Sequence, residues 1–94
     1  MNQMMKRYHV VIHGRVQGVL FRHNTGKIAD RLGIKGWVRN APDGAVEAVF
    51  EGEEEALEKI INWCKKGTIG ARVDKVEVKE EPYKNEFEAF HITI

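Results

Sequence analysis

Apolar and polar residues alternate with period two over residues 7–13, where Tyr8, Val10 and Ile12 share one side of the chain. β-Branched and aromatic residues dominate the stretch, so a strand is expected. From Phe21 the period lengthens to that of a helix. Phe21, Thr25, Ile28, Ala29 and Leu32 form one stripe, and Gly33 stands where a left-handed cap would end it. Residues 35–40 read as a second strand. Ala41-Pro42-Asp43-Gly44 carries turn chemistry, with proline suited to the second position and glycine to a positive φ. Residues 45–51 alternate again, setting Val46, Ala48 and Phe50 opposite Glu47 and Glu51, so a hairpin is expected. A second helical stripe runs through Ala56, Leu57, Ile60, Ile61 and Cys64. Glu53, Glu54 and Glu55 open it, Lys65 and Lys66 close it in accord with the helix dipole, and Gly67 stops it. The acidic run Glu51 to Glu55 reads most simply as a solvated helix start. Residues 73–78 and 87–94 alternate once more and are expected strands.

This order is the βαββαβ plan of an α+β, ferredoxin-like α/β sandwich, with a short extra C-terminal strand. Two helices would cover one face of a mixed, largely antiparallel sheet. Right-handed crossovers set strands one and two parallel, with strand three antiparallel between them. The loop after strand one and the end of strand two then meet at one edge. Residues 1–94 are expected to form a single domain, with residues 1–6 a loose N-terminal segment.

Composition narrows the partners. The chain is 43% hydrophobic and 31% charged, enough for one core under a soluble surface. Its net charge of +1 removes the generic argument for nucleic-acid or anionic-membrane binding, so any anion site must be local. The single cysteine, Cys64, permits no intramolecular disulfide and reads as a packed small hydrophobe. No apolar run reaches the length of a membrane span, and the polar start lacks a secretory signal, so cytoplasmic residence is expected.

Two segments fall at the shared edge. Gly14-Arg15-Val16-Gln17-Gly18-Val19-Leu20-Phe21-Arg22 runs from the first strand into the first helix, and Gly36-Trp37-Val38-Arg39-Asn40 ends at the hairpin turn. A glycine-bracketed loop feeding a helix N-terminus can turn its N–H groups inward, making an anion cradle backed by the helix dipole. Arg22 would add a planar, bidentate partner for two phosphate oxygens. Asn40 offers an acceptor and donors, so it can orient a water without taking its proton. Taken singly, each also has a plain reading: the loop as a turn, Arg22 as a solvated helix residue, Asn40 as a turn initiator before Pro42.

GRVQGVLFR closely resembles the acylphosphatase signature, and GWVRN followed by DG and VEA resembles that family's second block. Thr25, Leu32, Gly33 and Ala71-Arg72-Val73 also fit, so the resemblance spans residues 8–94. It implies hydrolysis of acyl phosphates, with Arg22 as the catalytic arginine beside the backbone amides of Arg15, Val16, Gln17, Gly18 and Val19. Asn40 would orient the attacking water. It further implies no metal or organic cofactor, a small acyl phosphate as substrate, and inorganic phosphate as product and competitive inhibitor. A monomer is the simplest expectation. Two departures stand out: residues 66–70 lack a proline often found there, and Ala41 replaces a hydroxyl residue carried by some relatives.

Other side chains invite plainer accounts. His9, His13 and His91 lie in alternating strands and read as half-exposed face residues, while His23 adjoins Arg22. No metal-ligand spacing occurs. Arg15 and Arg39 read equally as additional positive potential near the site or as surface residues. An RNA-binding module of the same fold would need stacking aromatics on its central strands, and here strand three carries glutamates instead. Acylphosphatase-like domains also open hydrogenase-maturation proteins, which carry long further regions, so a freestanding enzyme is expected.

Overall fold

The computed structural model describes residues 4–93. Its elements are β1 (Met5–Arg15), α1 (Phe21–Leu32), β2 (Lys35–Asn40), β3 (Val46–Glu53), α2 (Glu54–Lys66), β4 (Arg72–Glu81) and β5 (Phe90–Ile92). They form a five-stranded sheet in the order β4-β1-β3-β2-β5. Strand β3 is antiparallel to both β1 and β2, which makes those two parallel, and β5 adds parallel to β2. Both helices pack on one face.

Period-two alternation builds the core. Val10 and Ile12 of β1, Val38 of β2, and Val46, Ala48 and Phe50 of β3 all point to the helix side and are buried. Phe21 and Ala29 of α1 meet them, with Leu57, Ile60 and Cys64 of α2. Phe21 also packs against Trp63, ring centroids 5.1 Å apart, joining the start of α1 to the end of α2. At about 0.8 kcal/mol per buried methylene, this cluster supplies the main favourable contribution to folding. Burial pushes the Cys64 thiol up to about 12, so it packs as an inert apolar group.

Four expectations change. Residues 1–6 are not uniformly loose, because Met5 pairs with Glu53, Lys6 pairs with Gly52, and the Lys6 ammonium binds Glu54; residues 1–3 lie outside the described residues. Strand β4 extends to Glu81, held by its pairing with β1. The last strand is only Phe90–Ile92; Ile94 lies outside the described residues. Glu51 is not part of a solvated helix start: it is 3% exposed. Its carboxylate accepts the N–H groups of Lys84 at 2.9 Å and Glu86 at 3.0 Å, and the Arg7 guanidinium at 3.2 Å. Arg7 also binds Glu81 and Glu86 and lies over the Phe87 ring. Burial opposes the Glu51 charge, but the two backbone donors and Arg7 outweigh it and hold its pKa below the ordinary 4.5.

That clasp matters for what lies at the other end of the sheet. It holds the segment leading from β4, at one edge, to β5, at the opposite edge. From there β5 runs parallel to β2, and its end arrives beside the end of β2.

Candidate active site

The loop between β1 and α1 is shaped by backbone conformations that a sequence rarely offers together. Gly14 has φ +134° at a bulge against β4, where a Cβ would stand 2.0 Å from the Arg72 carbonyl oxygen. Gly18 has φ +75° and open space around it. Leu20, which no pattern in the sequence marks, is also left-handed, at φ 63° and ψ 21°, and occupies the N-cap of α1. It gives the helix no side-chain cap, and the first turn contains no acidic residue. The first intrahelical bond is from the Asn24 N–H to the Leu20 carbonyl, so the N–H groups of the preceding turn have no helical acceptor. The N–H groups of residues 16–20 likewise find no acceptor among the described residues.

The Gln17 side chain fixes this loop against the β2–β3 turn. Its amide nitrogen donates to the Ala41 carbonyl at 2.8 Å and to the Ala45 carbonyl at 2.9 Å. Ala41 and Ala45 close the same turn through the Ala41 N–H. Asn40, the last residue of β2, is therefore held on the strand side by pairing with Val46 and on the loop side by Gln17.

Arg22 and Asn40 share one cavity of about 290 Å³, lined also by Val16, Gly18, Leu20, Phe21, His23 and Ile92. Arg22 donates from Nη1 to the Thr93 carbonyl at 2.7 Å, just past β5, so the C-terminal strand orients the guanidinium. Among the described residues it forms no ion pair, and its other donors remain available. The Asn40 Oδ1 atom is buried without a hydrogen-bond partner among the described residues. A buried carbonyl oxygen left unpaired costs about 1–3 kcal/mol, so this atom is an unsatisfied acceptor on a residue that lines the cavity.

The remaining sequence candidates separate. Val16 is buried and Gly18 exposed on the cavity side, whereas Arg15 is exposed at the strand end. Arg39 lies on the sheet face away from the helices, bound to Glu47 and set over the Trp37 ring. His9 shares that Glu47 at 2.6 Å and His13 binds Glu77, so both histidines lie outside the cavity. A wider groove of about 530 Å³ between α2 and edge strand β4 sets Glu58 and Glu80 against Lys65, so two carboxylates face its one ammonium group among the described residues. Among the described residues no group of three or more His, Cys, Asp or Glu is placed to hold a metal, and no helix is long and apolar enough to cross a membrane.

The acylphosphatase family model matches residues 8–92. The chain belongs to the acylphosphatase family. It is 53% identical over 88 residues to an acylphosphatase of Syntrophobacter fumaroxidans, covering 94% of this chain and 91% of that relative. The acylphosphatase structure from Bacillus subtilis aligns with a TM-score of 0.91 and 35% identity over 97% of this chain and 100% of that one. It carries the same ferredoxin-like α+β fold. The structure of T. kodakarensis HypF aligns with a TM-score of 0.81 and 36% identity, covering 95% of this chain but 12% of that protein. Acylphosphatases are hydrolases, and acyl phosphate hydrolysis is the activity this membership supports.

Proposed function

We propose that this acylphosphatase cleaves carboxylic–phosphoric anhydrides by direct in-line attack of a water held by Asn40. Arg22 and the N–H groups of residues Arg15 to Val19 would hold the phosphoryl group. The observation that carries this reading is the cavity that Asn40, whose buried Oδ1 has no hydrogen-bond partner among the described residues, shares with Arg22 and Gly18. In outline, the water oxygen bonds to phosphorus as the bond between phosphorus and the acyl oxygen breaks. The bonding pair leaves with the carboxylate, and the water's proton passes to a phosphoryl oxygen.

Such a transition state asks for positioning and charge stabilisation rather than covalent help. The leaving carboxylate is weakly basic and needs no strong acid. Among the described residues no carboxylate lines the cavity, which accords with proton transfer to the substrate itself. The proposal extends to a cytoplasmic monomer that uses no cofactor and is competitively inhibited by inorganic phosphate.

Hydrolysis of benzoyl phosphate in ¹⁸O-water, with chelator present, tests the route. Label in phosphate alone is expected. Label in benzoate would place the attack on the acyl carbon and overturn the proposed role of the phosphoryl cradle.

A further inference from the structure

The side chain of Leu20 is held in an unusual position. A left-handed backbone strains any residue with a Cβ by roughly 1–2 kcal/mol, and the N-cap favours Ser, Thr, Asp, Asn or Gly over leucine. Leu20 is nevertheless left-handed at that position and is 69% exposed. Ile92, from β5 on the other side of the cavity, is 48% exposed. Val16 and Phe21 are buried and form the cavity floor, whereas Leu20 and Ile92 stand at its rim. Among the described residues, His23 is the only polar side chain besides Arg22 and Asn40 that lines the cavity.

We infer that Leu20 and Ile92 form an apolar clamp for the acyl group, selecting acyl phosphates with larger aromatic or aliphatic acyl chains over small ones. The inference rests on the hydrolase reading and deepens it by naming the substrate class. With the phosphoryl group in the cradle, the acyl group must leave the cavity past its rim. An apolar acyl group there removes both its own surface and that of two exposed side chains from water. The strained backbone serves the phosphate cradle by turning the loop inward, and the side chain it carries faces the substrate's variable part.

The test compares kcat/KM for benzoyl phosphate with that for acetyl phosphate in wild type, Leu20→Gly and Ile92→Thr. Inhibition by inorganic phosphate is measured alongside. Glycine accepts the left-handed backbone, and threonine keeps the β-branched shape, so both variants retain the fold. The benzoyl-to-acetyl ratio is expected to fall about tenfold in each variant, mainly through KM for benzoyl phosphate, as removal of apolar contact area requires. The inhibition constant for phosphate reports separately any loosening of the loop or of the Thr93 contact to Arg22, which affects both substrates and cancels in the ratio. A benzoyl-to-acetyl ratio unchanged in either variant overturns the clamp, whatever happens to the absolute rates. A wild type that hydrolyses neither substrate would instead overturn the hydrolase reading, and the clamp with it.

Discussion

In the proposed mechanism Arg22 and Asn40 contribute different things, and substitution should separate them. Arg22 has a planar fork held by the Thr93 carbonyl, with further N–H groups that have no partner among the described residues. Arg22→Lys keeps the charge but loses the fork. It is expected to lower kcat by about 10²–10³, the usual loss for one preorganised donor to developing charge, and to weaken phosphate inhibition as well. Steady-state kinetics with inorganic phosphate as inhibitor check both. That Arg22 and Asn40 meet at one edge of the sheet was legible in the sequence, because short glycine-bounded loops and strict alternation leave little freedom in where they lie, whereas the roles proposed for them came from the family resemblance. Leu20 was not legible, since its left-handed backbone contradicts its residue type. Nor was the buried role of Glu51, because Glu53, Glu54 and Glu55 follow it and blend it into a helix start.

Among the elements, α1 and β5 position the site together. Gly26, buried in α1, faces β5: a Cβ there would stand 2.7 Å from the Ile92 Cδ1 and 3.0 Å from its Cγ1. Gly26→Ala should gain helix propensity of about 0.8–1 kcal/mol while pushing Ile92 outward. That displacement loosens the Thr93 carbonyl on Arg22. The expected outcome is a melting temperature near that of wild type with kcat/KM lower by about tenfold, read from thermal unfolding and kinetics on one preparation. A melting temperature reduced in proportion to activity would mean that the strand does not act through Arg22. The fold order was readable from periodicity, but the place of β5 was less so. Three residues carry too little pattern to define a strand, and its site is fixed by the Arg7–Glu51 clasp on the segment before it.

For the whole molecule, that clasp links acid stability to architecture. The Glu51 pKa lies below its ordinary value in the folded state, as do those of Glu47, Glu77 and Glu81. A depressed folded pKa means that the unfolded chain binds protons first as pH falls. The stability these groups contribute is full above about pH 4.5 and is lost as pH drops through their lowered folded values. Glu51→Gln leaves Arg7 without its most buried partner and should remove about 3 kcal/mol near neutral pH, a fall of roughly 10–20 °C in melting temperature. The difference from wild type should shrink below pH 4, as followed by denaturant unfolding across pH. A difference that stayed constant with pH would show that packing, not charge, holds the segment.

The central claim is that Asn40 orients the nucleophilic water while Arg22 and the loop hold the phosphoryl group. The most direct measurement takes wild type and Asn40→Ala and reads kcat on benzoyl phosphate together with the inhibition constant for inorganic phosphate. The account predicts a fall in kcat of at least about 100-fold. Phosphate inhibition should be nearly unchanged, and thermal stability equal or higher because an unpaired buried oxygen is gone. Near-normal kcat in Asn40→Ala would contradict the water-holding role outright, and phosphate inhibition lost in step with kcat would show Asn40 to be part of the anion cradle instead.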